Sequence, residues 1–305
     1  MKKILLATTL LAASTGFAAA EVTLSGDARM GIKSNFDIID NPATVIVESA
    51  AGLDESDLQF TSRARVKFTL SGSTDGGLEF GASFRAQDAG GAANGKNGSV
   101  FISGAFGKLS MGDVDDAANS AVGQVSGVGL TGLDDLNEVT YIAGGNDPTA
   151  LYEYSTGDLT IYASVTNPTI VAAPASSVVA YSVAAKYALG DYTVALGYED
   201  NDAGTTHIIG GVSATFGAAT LKAIYGSADG AINGDQYAIS VDYKADALTV
   251  TAFYSNKDLV PAVVQEAYGI GASYDLGGGA SVVGGYSHNE TSNQDAYDLG
   301  VSMSF

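Results

Sequence analysis

Leu58–Ser71 reads LQFTSRARVKFTLS. Phe60, Ala64, Val66, Phe68 and Leu70 fall on one phase of two; Thr61, Arg63, Arg65, Lys67 and Thr69 fall on the other. A period of two sets these groups on opposite faces of a β-strand. The same alternation runs almost end to end. Val22, Leu24, Ala28, Met30 and Ile32 oppose Thr23, Ser25, Asp27, Arg29 and Lys33. Tyr192, Val194, Leu196 and Tyr198 oppose Thr193, Ala195 and Glu199, and the chain closes with Tyr297, Leu299, Val301, Met303 and Phe305 against Asp298, Ser302 and Ser304.

Sixteen such segments are predicted, at about 22–33, 58–72, 77–88, 98–106, 108–112, 150–156, 158–166, 178–188, 190–200, 205–216, 218–228, 235–244, 246–256, 266–275, 279–289 and 295–305. Short turns such as Thr74–Gly77, Gly157 and Gly217 alternate with long or polar connections at 34–57, 89–97, 113–149, 167–177, 201–204, 229–234, 257–265 and 290–294. An even strand count with short turns on one rim and long loops on the other describes a bacterial outer-membrane barrel. The apolar phase then faces lipid, with Tyr and Phe at strand ends as interfacial girdles. Sixteen strands enclose an aqueous lumen, which the polar phase lines. The alternative is a soluble secreted β-sandwich, with the apolar phase turned inward.

Residues 1–20, MKKILLATTLLAASTGFAAA, have a basic start, an apolar core from Ile4 to Leu11 and a small-residue end at Ala18–Ala20. That is a cleaved secretory signal, too short for a spanning helix. Expected in the mature chain is one barrel domain, residues 21–305, with 34 acids against 12 bases and a charge of −22. Without Cys the chain has no disulfides, thiolate metal sites or iron–sulfur clusters. With few bases and no basic stripe, nucleic acid is not an expected partner. Two His leave little for a metalloenzyme.

Several stretches resemble the Rhodobacter-type general-diffusion porins of alphaproteobacteria. They are Leu24-Ser25-Gly26-Asp27-Ala28-Arg29-Met30-Gly31, Gly77-Leu78-Glu79-Phe80-Gly81-Ala82-Ser83-Phe84 and Ser103-Gly104-Ala105-Phe106-Gly107-Lys108 with Met111-Gly112-Asp113. Tyr274-Asp275-Leu276-Gly277-Gly278-Gly279-Ala280-Ser281 and the terminal Val301–Phe305 complete the set. The resemblance implies an outer-membrane homotrimer of sixteen-stranded barrels, bathed in lipid and lipopolysaccharide, with the third external loop folded into each pore. It also implies passive diffusion of small hydrophilic solutes. The loop sequences depart from the family, and loops set solute preference.

All four Arg of the chain, Arg29, Arg63, Arg65 and Arg85, lie in the first three segments on the polar phase, with Lys33 and Lys67. The turn Thr74–Gly77 sets Lys67 close to opposite Arg85, and like charges opposite one another are destabilising. Such a basic wall needs acids or a function. The long segment 113–149 carries Asp113, Asp115, Asp116, Asp134, Asp135, Glu138 and Asp147. Folded inward, it is expected to face the basic wall and give a pore of weak cation preference. A substrate-selective channel for sugars or anions is the runner-up. A sugar channel needs a ladder of lumenal aromatics, and the polar phase offers chiefly Tyr162 and Phe253. A plugged barrel serving as a structural or adhesive surface protein is the third class.

Gly127–Gly132 fits G-x-G-x-x-G but lacks the preceding strand and following helix of a dinucleotide site. His207 and His288 are expected as solvated groups at loop ends, and no catalysis is expected. Asp134 and Asp135 are candidate oxygen ligands for a structural calcium ion, a reading the resemblance strengthens, although the spacing matches no calcium loop. No cofactor is required.

Overall fold

The computed structural model describes residues 21–34, 58–93, 95–143, 148–171 and 176–305. The leader 1–20 and Asp147 lie outside the described residues. The strands are β1 (Glu21–Lys33), β2 (Gln59–Ser73), β3 (Glu79–Arg85), β4 (Gly98–Gly104), β5 (Gly107–Gly112), β6 (Thr149–Thr156), β7 (Leu159–Thr166), β8 (Thr169–Val171), β9 (Ser176–Val178), β10 (Ala180–Leu189), β11 (Tyr192–Asn201), β12 (Thr205–Phe216), β13 (Ala219–Gly230), β14 (Asn233–Ala245), β15 (Leu248–Val260), β16 (Val263–Gly277), β17 (Ala280–Asn289) and β18 (Gln294–Ser304).

Sixteen of these form one closed antiparallel barrel, β1 pairing with both β2 and β18. Closure leaves no unpaired sheet edge, which lipid does not tolerate. β8 and β9 make a separate hairpin within the connection expected as a loop at 167–177. Glu21 and Phe305 lie on the rim of the short turns, where Gly26 and Phe305 exchange backbone hydrogen bonds. Lys67 stands directly opposite Arg85, as the turn length implied.

The other rim departs from expectation at two places. Loops were expected at 229–234 and 257–265; instead β13 runs to Gly230 and β14 starts at Asn233, while β15 runs to Val260 and β16 starts at Val263. The backbone ladder continues past the apolar band because it needs only paired N–H and C=O groups, whatever the side chains.

Alternation assigns the faces. Leu196, Tyr198, Ile208, Val212, Ile239, Val241, Ile270 and Leu299 are exposed, whereas Glu199, His207, Gln236, Ser240, Ser255, Ser287 and Asp298 on the opposite phase are buried. A closed barrel with an apolar exterior and a polar interior is the membrane solution. Its apolar core sits inside, between the segment after β5 and the wall. One cluster joins Ala117, Ala118, Ala121, Val122, Val125 and Val139 to Tyr162, Ala195, Ile209, Ile224 and Ala238. A second joins Val128, Leu133 and Leu136 to Phe253, Ala267 and Ala296.

A candidate pore constriction

The chain turns inward directly after β5. Asp116 caps the short helix Ala117–Val122, its Oδ1 accepting from the N–H of Ala118 (2.8 Å) and Asn119 (3.0 Å). An aspartate N-cap satisfies orphan amides that a helix end leaves unpaired. Ser164 on β7 and Ser182 on β10 accept from the N–H groups of Ala117 and Ala118. The helix lies flat on the wall because β11 carries Gly197 there. A Cβ at Gly197 would come within 2.6 Å of the Ala118 Cβ.

Beyond the helix the segment is pinned residue by residue. Ser126 donates from its backbone to Ser240 Oγ (3.1 Å) and from its hydroxyl to Asp242 (2.7 Å) on β14. Asp298 on β18 accepts from Leu130 N (2.8 Å), Thr131 N (2.6 Å) and Thr131 Oγ1 (2.7 Å). Arg29 donates to the Leu130 carbonyl at 3.2 Å. Gly285 gives the tip room, since a Cβ there would sit 2.5 Å from the Gly129 nitrogen. The G-x-G-x-x-G stretch is therefore this tip, its glycines 129 and 132 taking φ of 85° and 88°.

The return leg is held by a buried polar latch. Gln236 binds Thr140 twice, its Oε1 accepting from Thr140 N (2.7 Å) and its Nε2 donating to Thr140 O (2.6 Å). Glu199 Oε1 accepts from Ala143 N at 2.9 Å, and Oε2 meets His207 Nδ1 at 2.5 Å. His207 Nε2 faces the Gln236 amide nitrogen at 3.1 Å. Thr140 fixes that amide as a donor, so His207 accepts at Nε2 and carries its proton on Nδ1. His207 is thus not the solvated rim residue expected: it is 1% exposed and braces two loop-binding side chains. His288 does sit near the outer rim, against Asp295 at 2.7 Å.

These anchors run from β7 round to β18 and β1. Along β2–β6 a cavity of about 410 Å³ separates the segment from the wall, with Lys67, Lys108 and Glu153 on the wall and Asp113 and Asp115 on the loop. Phe101, under the Lys108 ammonium at 4.8 Å, is a lumenal aromatic the alternation had not singled out.

The acids distribute differently from the expected facing of the whole loop against the Arg wall. Arg63 and Arg65 pair with Asp27 on the adjoining strand, at 3.1 and 2.9 Å, and among the described residues with no acid of the loop. Lys33 stands across from Asp298. Asp116 is turned away into its capping role; burial, with Glu199 nearby, pushes its carboxyl up to about 6. Asp115 is raised by burial and then by Asp113, and Glu138 by burial and then by Asp135, with Lys257 opposing. Asp134 and Asp135 sit in the one-turn segment Leu133–Asp135 with φ of 62° and 51°. Among the described residues no three His, Cys, Asp or Glu side chains converge as metal ligands.

Asp116 yields a pH prediction. Its folded value lies above the ordinary 3.8, so the folded state holds the proton more tightly and stability falls as pH rises from about 3.8 to about 6. Asp116→Asn keeps a capping acceptor and removes the charge. Thermal midpoints in detergent should be higher for this variant at pH 7, by up to about 3 kcal/mol of stability, and should fall less steeply across that window. An unchanged slope contradicts the assignment.

Comparison with known proteins decides the lineage. A family model described as Gram-negative porin matches residues 7–294. The chain belongs to the Gram-negative porin family. It is 38% identical over 322 residues to a porin of Rhodobacter capsulatus, covering 93% of this chain and 100% of that one. A porin structure refined at 1.8 Å is 37% identical, with a TM-score of 0.79 over 93% of this chain and 100% of that one. A mutant of Rh. blastica porin, 22% identical with a TM-score of 0.67 at the same coverages, shares the fold. This porin is accordingly an outer-membrane β-barrel and a diffusion channel, as its sequence resemblance implied.

Proposed function

We propose that this porin is a passive, water-filled pore for small hydrophilic solutes, narrowed between residues 113–143 and the β2–β6 wall. One observation carries the reading: the inward segment is anchored to β1, β7, β10, β11, β14, β15 and β18, and the remaining passage is a mixed-charge cavity. Where the two walls of the passage come within a Debye length, about 8 Å at physiological salt, each ion samples both. The acids of the loop and the overall negative charge support a weak cation preference. Tyr162 and Phe253 are buried against the loop, so they offer no stacking ladder for sugar rings. Planar-bilayer recording tests this reading: ohmic current without specific block by sugars is expected, whereas a saturating sugar block points to a selective channel.

The same reading includes self-association as a homotrimer. β3, β4 and β5 have seven, seven and six residues. Tilted strands of that length rise only roughly 15–18 Å, short of the apolar band of about 25 Å. A second copy covers such a low stretch of wall better than lipid does. Val100 and Ile102 on β4 are outward and exposed. Val100→Lys with Ile102→Lys should convert a cross-linkable trimer to monomer; a variant that remains trimeric removes this face from the interface.

A further inference from the structure

A second basic pair stands across the barrel from Arg63 and Arg65. Lys222 on β13 is in register with Ser213 on β12, which is in register with Thr193 on β11; Lys186 on β10 lies one row above. All four share a cavity of about 380 Å³ with Ser120 and Gly123, where the short helix ends. Both lysines lie three residues from the short-turn ends of their strands, on the exit side of the constriction.

Several features mark this cavity as more than wetted wall. Both lysines line the one cavity, so an anion within it meets two cations. Among the described residues neither forms an ion pair with a carboxylate, unlike Arg63 and Arg65. Lys186 rests over the Tyr162 ring, 5.5 Å from its centre, which orients the ammonium without neutralising it. The Lys222 ammonium lies beside Gly123, where the short helix ends: a Cβ on Gly123 would lie 3.2 Å from its Nζ. The Gly123 carbonyl itself accepts from the Tyr141 hydroxyl at 2.6 Å. Two cations are thus held around a strip of hydroxyl donors, in a protein otherwise rich in acids. Lysine ammonium groups and Ser or Thr hydroxyls are donors for the oxygens of a tetrahedral oxyanion.

We propose that this cavity is a binding subsite for phosphate-class oxyanions in transit, held between Lys186 and Lys222 with Thr193 and Ser213 as hydroxyl donors. The subsite rests on the diffusion-pore reading. It makes phosphate a weakly retained permeant in a channel that otherwise favours cations.

The test is single-channel recording of the full chain in potassium chloride with inorganic phosphate titrated in. Wild type should show a saturating, phosphate-dependent reduction of current. Lys186→Gln with Lys222→Gln should weaken the apparent affinity at least about tenfold, the loss expected of two charge contacts in a high-dielectric site. Lys186→Arg with Lys222→Arg should retain the block, which separates loss of charge from loss of fold. Lys244→Gln, removing a lysine on the same rim outside the cavity, should also retain it. The proposal is overturned if wild type shows no saturable block, if the glutamine pair blocks like wild type, or if Lys244→Gln loses the effect equally. Absence of any current in wild type sinks the diffusion-pore reading instead.

Discussion

Asp298→Ala should detach the loop tip and widen the pore. Asp298 accepts three hydrogen bonds from Leu130 and Thr131, two of them from backbone amides, and is only 4% exposed. Alanine leaves those amides buried without an acceptor. Hydrogen bonds to a charged acceptor are worth about 1.5–3 kcal/mol each, and orphaned donors carry their own cost. Even with partial rehydration, the tip loses several kcal/mol of attachment. The apolar seat of Val128, Leu133 and Leu136 against Phe253 remains, so displacement should be partial. The expected record is higher mean conductance with added current noise, and new protease sensitivity near Gly127–Gly132. Asp298→Asn keeps one acceptor oxygen and should fall between the two. Unaltered conductance and noise in Asp298→Ala would mean the tip is held by packing alone.

This prediction rests on a residue that alternation placed on the polar face without revealing its partner. The barrel itself was legible because period two is a property of each strand alone, and closure follows from strand number. The register of β2 and β3 was legible because a short turn couples them. β1 and β2 are joined by a long connection, which fixes no register, so the placement of Asp27 between Arg63 and Arg65 could not be read. That hidden pairing is why the loop acids seemed necessary to balance the Arg cluster. Glu199, His207 and Gln236 were equally hidden. A polar residue on a lumenal phase looks the same whether it meets water or a buried backbone amide. The small residues Ala117, Ala118, Gly197 and Gly285 carried a signal in principle, since close backbone approach needs them, but their partners lie far apart in the chain.

Arg63→Gln with Arg65→Gln should make the pore more cation-selective, and the pairing with Asp27 sharpens this expectation. In wild type the two guanidiniums outnumber the carboxylate they share, so the patch is net positive. Glutamine at both positions leaves Asp27 as the sole charge of the trio. The local change is two charges, and with Arg29 across from Arg63 the patch loses its net positive charge. At about 8 Å in water two unit charges act on a passing ion with about 1 kcal/mol before screening, which puts the change in permeability ratio at roughly two- to fivefold. Asp27→Asn should shift selectivity the other way. Asp113→Asn with Asp115→Asn should also move it toward anions, because these loop acids line the cavity against Lys67 and Lys108. Asp134→Asn with Asp135→Asn, expected from the sequence to act likewise, should have the smaller effect, since Leu133 and Leu136 on either side hold that turn against β15, β16 and β18 rather than toward β2. All shifts should shrink as salt rises and the screening length falls. The measurement is reversal potential across a salt gradient at two ionic strengths. Shifts of one sign from both the arginine and the Asp113/Asp115 variants would show that the two walls do not act on the same ion, and the aperture would then have to lie elsewhere in the lumen.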